Sequence, residues 1–344
     1  MKEQSARTIE HDDAENRLES LRRSFTGRRV VVLGDLVADQ FLYGEISRVS
    51  REAPVLILRH ERTDTMPGGA ANCAINLAAL GAHATLVGVV GDDEAGRALL
   101  DCLREAKVDC SGVITSNAMR TTTKVRVLAG QAHSTRQQVI RVDYDSAPTT
   151  DATLQEQIAA RLRKSAEHVD AIIVSDYNYG VAGGESIKFL RGIASEQNVP
   201  VIIDSRFRLL DFSGFTSATP NEDEVEHVLG VRLESAADLE TAGAQLCARL
   251  GHRALLVTRG KDGMALFERD KPALYIEPIG AREAVDVTGA GDTVIATYTL
   301  ALASGASFAD AARLANHAGA LVVMKRGTAS VSLEELSASV RSGV

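Results

Sequence analysis

The sequence has no tryptophan, seven prolines and four cysteines in 344 residues, and its aromatic content is 4%. The cysteines do not have the spacing of a zinc site or of a disulfide framework, so we expect free thiols in a reducing compartment. No apolar stretch is long enough for a membrane span or for the core of a secretory signal. These absences predict a cytoplasmic protein that does not act at a membrane.

The sequence has fewer basic than acidic residues: it contains 38 lysines and arginines and 46 aspartates and glutamates, and the formal net charge is -8. An acidic chain of this kind repels polyanions, so nucleic acid is not an expected partner. Any anionic substrate would need cations that are concentrated locally. The hydrophobic content of 45% is ordinary for a globular chain with a substantial core.

Two nucleotide-binding signatures are also missing: the Gly-x-x-x-x-Gly-Lys-Ser/Thr loop and a Gly-x-Gly-x-x-Gly turn after the first strand. Their absence disfavours a P-loop kinase and a Rossmann dehydrogenase. What the sequence does contain is an alternation of apolar strands and amphipathic helices. It predicts strands at 29–34, 84–90, 171–174, 200–203 and 254–257, with helices at 70–80 and 94–106. This pattern predicts an α/β fold with a mainly parallel sheet that binds ligands at the carboxyl ends of its strands.

Two segments interrupt this alternation, 41–60 and 121–142, where apolar and polar residues alternate as in half-exposed strands. We predict that they form a small β-lid over the ligand edge. Residues 1–27 are predicted to form a helical extension, and 28–344 the main domain. Unpaired lid edges would be protected in a homodimer formed through the lid.

A glycine-bearing turn precedes an acid near the end of the chain, where Gly289, Ala290 and Gly291 lead into Asp292 at the start of an apolar helical pattern. A helix start presents unpaired N–H groups and partial positive charge, and glycines allow an anion to approach the backbone closely. A carboxylate beside such an anion hole could take a proton from a hydroxyl as general base. Taken alone, the same residues would also suit a helix N-cap.

Four more motifs accompany this turn: Gly34–Asp39, Pro67–Asn72, Thr219–Glu224 and Thr258–Gly263. Together the five motifs resemble those of the PfkB family of sugar kinases in the ribokinase superfamily. The resemblance implies a ribokinase-like three-layer α/β/α sandwich with a β-lid, and an enzyme that uses ATP and Mg²⁺. A catalytically silent sugar-binding protein on the same fold is the alternative from another class.

The resemblance also implies residue roles. Asp292 would be the catalytic base beside the anion hole. Asn221, which also suits a helix cap, and Glu224 would hold Mg²⁺, through water, and Asp286 would lie at a site for a monovalent cation such as K⁺. The implied sugar-binding residues are Asp35, Asp39, Gly68, Gly69 and Asn72, and the implied ATP-binding residues are Asn221, Thr258, Gly260, Gly263 and Asn316.

Within the family, segment 44–55 resembles the lid segment of kinases that phosphorylate the anomeric hydroxyl of D-glycero-β-D-manno-heptose 7-phosphate, a lipopolysaccharide precursor. The resemblance would then make Arg48, Lys124, Arg126 and Arg141 a basic cluster for a phosphorylated acceptor, although each could equally lie on a solvated strand face. Two departures leave another sugar, sugar phosphate or nucleoside open as acceptor: Arg51 replaces a proline, and 204–206 reads Asp-Ser-Arg instead of Asp-Pro-Lys. Many heptose enzymes also carry a nucleotidyltransferase domain, and here we expect that step from another protein.

Overall fold

The computed structural model describes residues 18–130, 136–145, 151–280 and 284–342. Within these residues the large sheet has nine strands in the order β13-β12-β11-β10-β9-β8-β1-β4-β5. Strands β12 and β13 at one edge are antiparallel to their neighbours, and the other seven strands run parallel. The strands are β1 Arg29–Gly34, β4 His83–Gly91, β5 Asp109–Ser116, β8 Ala171–Asp176, β9 Val201–Ser205, β10 Ser217–Ala218, β11 Ala254–Thr258, β12 Met264–Glu268 and β13 Leu274–Ile276.

Strand β1 shows how the sheet divides the core. Val30 and Val32 are buried in one hydrophobic cluster, whereas Val31 and Leu33 are buried in the other, because successive side chains leave opposite faces of a strand. The first cluster is covered by α1 Ala70–Ala79, α2 Glu94–Glu105, α7 Ala290–Ala303, α8 Phe308–Val322 and α9 Leu333–Ser342. The second is covered by α3 Ala152–Ser165, α4 Gly184–Glu196, α5 Glu222–Leu229 and α6 Ala236–Leu250. These three layers confirm the predicted α/β/α fold.

A second, small sheet has the order β3-β2-β6-β7 and consists of β2 Leu36–Val49, β3 Leu56–Gly69, β6 Thr122–Gly130 and β7 Gln137–Tyr144. It contains most of the two segments for which a lid was predicted, and it also includes β2 from Leu36 and β3 to Gly69. Strand β2 follows β1 after the single residue Asp35, and β3 leads directly into α1. The small sheet therefore arises at the carboxyl ends of the parallel strands.

The register of the small sheet aligns its polar residues. Asp39 on β2 lies opposite Lys124 on β6, and two residues further along Phe41 lies opposite Arg126. Residues two apart in a strand share a face, so both pairs lie on one side of the sheet.

In the described ranges, no helix has the length and apolarity that crossing a membrane would require.

Candidate active site

Asp292 lies in the first turn of α7, directly after the predicted anion-hole residues. Gly289 precedes the helix with a left-handed φ of 77°, and a Cβ there would overlap the amide of Asn72. The Ala290 N–H donates to the Val287 carbonyl at 3.2 Å, and the Thr293 N–H donates to the Gly289 carbonyl at 3.2 Å. Between them, the N–H groups of Gly291 and Asp292 occupy the turn where a helix supplies no acceptor of its own.

The Asp292 carboxylate is held by three side-chain donors. The Asn72 amide donates to Oδ2 at 2.8 Å, while the Cys73 thiol at 3.5 Å and the Tyr177 hydroxyl at 3.3 Å donate to Oδ1. Asp292 is only 4% exposed. Burial is the main cause that raises its pKa to about 6, and the three donors oppose that rise by stabilising the ionised form. The geometry therefore provides an oriented carboxylate that accepts a proton near neutral pH.

Asp35 orients the loop that follows β8. Its carboxylate accepts the backbone N–H groups of Tyr177 at 2.8 Å, Tyr179 at 3.0 Å and Val181 at 3.2 Å. Burial raises its pKa to about 6 in spite of these bonds. The structure thus gives Asp35 backbone partners within the chain, at the position where the family resemblance implies contact with the sugar.

Gly68, Asp39 and Arg126 fit together at the base of the small sheet. Asp39 is 5% exposed and pairs with the Arg126 guanidinium. A Cβ on Gly68 would overlap the Asp39 carboxylate, and one on Gly69, where φ is 57°, would come within 3.2 Å of the Tyr177 ring. The two glycines are required because acidic and aromatic side chains approach the backbone at this point.

Three cations surround a cavity next to Tyr177. Lys124, Arg141 and Arg206 line it, and the Lys124 ammonium is 5.5 Å from the centre of the Tyr177 ring. Burial is the main cause that lowers the pKa of Lys124, and Arg141 and Arg206 lower it further, while Asp39 and Asp143 act in the opposite direction. Two carboxylates, Asp143 and Asp145, also line the cavity, so its three cations exceed its acidic side chains by one and an anionic occupant is favoured.

Arg48 is not brought to this cavity. It lies in the exposed end of β2, nine residues beyond Asp39, or about 30 Å along an extended strand. Arg141, in contrast, faces the cavity and forms hydrogen bonds of 2.7 and 2.5 Å with Asp143. Of the four cations predicted for a phosphorylated acceptor, the structure therefore brings Lys124 and Arg141 together at this cavity, whereas Arg126 pairs with Asp39.

A cavity of about 290 Å³ lies beside the α7 start. Its lining includes the four residues Thr258, Gly260, Gly263 and Asn316, which the resemblance assigned to ATP. The remaining lining is largely apolar or glycine, and it extends to Ala290 and Gly291. The Asn316 amide donates to the Glu277 carbonyl at 2.8 Å, which fixes one wall.

Asn221 and Glu224, the residues assigned to magnesium, form a capping box at the start of α5. The Asn221 side chain accepts the Glu224 N–H at 2.8 Å, and the Glu224 carboxylate accepts the Asn221 N–H at 3.0 Å. Nearby, burial and then the charges of Glu224 and Asp292 raise the pKa of Asp204. No group of three or more potential His, Cys, Asp or Glu metal ligands occurs in the part of the chain that the structure describes.

Asp286 is tied to the backbone on both oxygens, by the N–H of Thr288 at 2.9 Å and the N–H of Gly327 at 2.9 Å. Burial opposes its ionisation, but these donors hold the pKa of Asp286 below its usual value. The Asp286 N–H in turn donates to the Val323 carbonyl at 3.0 Å. An ionised carboxylate is therefore fixed beside the turn that leads to Asp292.

Tyr177 and Cys73 are site residues that the sequence analysis did not assign. Both are placed by recognisable patterns: Tyr177 follows the end of β8, where ligand-binding residues of parallel sheets lie, and Cys73 follows Asn72 on α1. Their contact with Asp292 spans 115 and 219 positions of the chain. Spacing along the chain therefore gave no signal for these contacts.

Comparison with known proteins identifies the family. The family model described as "pfkB family carbohydrate kinase" matches residues 28–336. The chain belongs to the pfkB family of carbohydrate kinases. Its relatives include the bifunctional protein HldE of Geobacter metallireducens, which is 40% identical over 90% of this chain and 62% of that protein. The HldE protein of Caulobacter vibrioides is 42% identical over 96% of this chain and 66% of that protein.

This pfkB chain thus spans a little under two thirds of the length of those curated relatives. Among solved structures, Arabidopsis thaliana ribokinase complexed with ribose and ATP has a TM-score of 0.69, 22% identity, and coverage of 92% of this chain and 99% of its own. Escherichia coli phosphofructokinase-2 in complex with potassium has a TM-score of 0.72, 20% identity, and coverage of 92% and 100%. These likenesses establish the ribokinase-like fold.

Proposed function

We propose that this pfkB family member transfers a phosphoryl group from ATP to a sugar hydroxyl, with Asp292 as general base. The observation that carries the proposal is the position of the α7 start between two binding regions. Ala290 and Gly291 line the apolar cavity, while the next residue, Asp292, is bonded to Asn72 on the opposite side. A phosphoryl group and a hydroxyl could therefore meet at one carboxylate.

The apolar cavity fits a nucleotide. Small and apolar residues suit a flat base, and the lining includes Gly291, where an added Cβ would meet nothing within 4 Å. Mg²⁺ commonly uses one or two protein carboxylates together with phosphates and water. Glu224 and Asn221 would contribute through water, because their side chains already bond to the backbone. When bound, the ion would neutralise the charge of the transferring phosphates.

The proposed proton transfer is local. As the acceptor oxygen attacks the phosphorus atom, its proton passes to the Asp292 carboxylate, and the bond from phosphorus to the leaving phosphate oxygen breaks. The N–H groups at the α7 start would face the developing negative charge. Asn72 holds Oδ2 during this transfer, so the carboxylate keeps its orientation.

The acceptor we propose is D-glycero-β-D-manno-heptose 7-phosphate, phosphorylated on its anomeric hydroxyl to give the 1,7-bisphosphate. Support comes from the resemblance of segment 44–55 and from relatives of the HldE type. The cations Lys124, Arg141 and Arg206 would receive the distal phosphate. Lys124 suits this role because it is half-buried and lines the same cavity as Arg141 and Arg206.

The deciding experiment measures ADP release with Mg-ATP and heptose 7-phosphate, hexose phosphates, free sugars or nucleosides, using wild type and Asp292→Asn. We expect turnover with heptose 7-phosphate and a loss on the order of a hundredfold or more in the variant. A preference for another acceptor would retain the kinase and reject the heptose assignment. Ligand-dependent thermal stabilisation without ADP formation by the wild type would instead indicate a binding protein.

We also propose that the small sheet is a lid and that two chains associate through it. Strand β7 is exposed along its whole length. Large exposed apolar side chains concentrate in this sheet and in the connection just before β3: Val49, Val55, Leu56, Val139, Ile140, Val142 and Tyr144. Burying them between two chains would also cover the free strand edges. Light scattering that shows only a monomer at micromolar concentration would contradict the dimer.

Asp286 supports a proposed site for K⁺. Its carboxylate is ionised and fixed by Thr288 and Gly327, and one structural neighbour was solved with potassium. We expect turnover to be faster in KCl than in tetramethylammonium chloride at equal ionic strength, and Asp286→Asn to remove the difference. Equal rates in the two salts would contradict the proposed site.

A further inference from the structure

The Asp292 carboxylate has an uneven set of donors. Oδ2 has a short bond from Asn72 at 2.8 Å, whereas Oδ1 has the longer contacts from Cys73 at 3.5 Å and Tyr177 at 3.3 Å. A thiol is a weak donor, and a phenol is a stronger one. Tyr177 is therefore the main side-chain donor to Oδ1 among the described residues.

The Tyr177 ring is fixed on several sides. Its backbone N–H is bound by Asp35 at 2.8 Å. The ring lies so close to Gly69 that a Cβ there would reach within 3.2 Å. The Lys124 ammonium, on strand β6 of the small sheet, is 5.5 Å from the ring centre. The ring is therefore fixed by its contacts with Asp35, Gly69 and Lys124, in a position from which its hydroxyl donates to Asp292.

We propose that Tyr177 is a positioning residue for the base: its hydroxyl orients Asp292 Oδ1 and stabilises the ionised carboxylate, and it keeps its own proton throughout. The inference rests on the proposed kinase function, in which the Asp292 carboxylate takes the acceptor proton. The Asp292 charge and burial raise the pKa of the phenol well above its usual value, so Tyr177 remains a donor.

Other charged and titratable groups around Asp292 come from several elements. Asp39 on β2 and Asp204 on β9 are carboxylates whose charges interact with that of Asp292, and Cys73 on α1 is the second donor to Oδ1. Burial raises the pKa of the Cys73 thiol well above its usual value, so it does not titrate with the base. A change at the Tyr177 hydroxyl alone leaves all three groups in place.

The test compares Tyr177→Phe with Tyr179→Phe. Both variants keep an aromatic ring in the same loop, and both positions donate their backbone N–H to Asp35. The hydroxyl of Tyr179 donates to Asp145 at 2.6 Å and serves as the matched control. The ring of Tyr177→Phe would preserve the contacts with Gly69 and Lys124.

We expect Tyr177→Phe to lower kcat about tenfold with a change in KM of less than about twofold, because the lost donor acts on the base. The acidic limb of the kcat/KM profile should move up by about half a pH unit or more, since the ionised carboxylate loses a hydrogen bond. Tyr179→Phe should leave that limb unmoved. An unchanged profile and kcat in Tyr177→Phe would overturn the proposal, as would an equal shift in both variants.

A second measurement separates this proposal from the kinase function. Wild type and Tyr177→Phe are labelled with ¹³C at aspartate carboxyls, the Asp292 signal is assigned with Asp292→Asn, and both proteins are titrated without substrate. A higher Asp292 pKa in Tyr177→Phe supports the positioning role even if no acceptor is turned over. An identical pKa in the two proteins overturns the role even if the wild type is an active kinase.

Discussion

The apolar cavity proposed for the nucleotide and the region proposed for the acceptor are built by different means. The cavity is lined mainly by glycines and small apolar residues from the later part of the chain, from Thr258 to Val323. The acceptor region uses charged and aromatic side chains, such as Asp39 and Tyr177, whose partners come from distant segments. Glycines and backbone shape suit a common cosubstrate, whereas side-chain pairs can be exchanged to fit a particular acceptor.

A pair of glycine substitutions should separate the two regions most strongly. In Gly263→Ala the added Cβ would overlap the Ile276 carbonyl at a left-handed φ of 81°, so we expect the KM for ATP to rise about tenfold or more. In Gly68→Ala the Cβ would overlap the Asp39 carboxylate, so the KM for the sugar should rise instead.

Steady-state kinetics with each substrate varied in turn would check this pair, with thermal melting to confirm folding. The control is Gly192→Ala on α4, where an added Cβ would meet nothing within 4 Å. It should leave both KM values unchanged. If Gly68→Ala raised the KM for ATP as strongly as that for the sugar, the two regions would not be independent.

Removing one cation should have an intermediate effect, confined to phosphorylated acceptors. Lys124→Met keeps most of the side-chain volume but loses the charge facing Arg141 and Arg206. We expect kcat/KM for a sugar phosphate to fall about tenfold, with little change for ATP. Arg48→Ala, at the far end of β2, is the matched charge removal. Equal losses in the two variants would argue against a phosphate subsite at Lys124.

The smallest expected effect is on stability. The fold raises the pKa of Asp292 from its ordinary value of 3.8 to about 6, so the folded state holds the proton more tightly than the unfolded state. Stability should therefore fall as the pH rises from about 4 to about 6 and then level off. Asp292→Asn has no carboxylate at this position, so it should not lose stability in this way. The difference in free energy of unfolding between the variant and the wild type should therefore be about 1 kcal/mol larger at pH 7 than at pH 4.

Denaturant unfolding of both proteins at the two pH values measures that difference. The full shift of about two pH units would correspond to about 3 kcal/mol, and rearrangement around the charge reduces it. Asp35, whose pKa is also raised to about 6, is present in both proteins and cancels in the comparison. A stability difference that did not grow with pH would mean that Asp292 ionises without penalty in the fold.

The sequence predicted the large sheet because its signals are local. A β-branched run such as 30–33 and a helix that ends before Gly81 carry their own periodicity and end signals. The glycine turn at 289–291 likewise identified the start of α7. These features depend on residues that are neighbours in the chain.

Contacts between distant segments could not be predicted in the same way. Arg48 and Arg141 are both arginines in predicted lid strands, and only the register of the small sheet shows that one is at its far end and the other at the cavity. The backbone bonds of Asp35 likewise depend on how β1 pairs with β8. Sheet register and loop conformation determine these contacts, and the spacing of residues along the chain predicts neither of them.

The Asp35 carboxylate also has a consequence for folding kinetics. Its bonds to the Tyr177, Tyr179 and Val181 amides span 142 to 146 positions of the chain. Contacts of such long range form slowly, because a large loop must close before they stabilise anything. The loop that carries Tyr177 therefore acquires its shape only after β1 and β8 have met, and catalytic competence should be among the last properties to return on refolding.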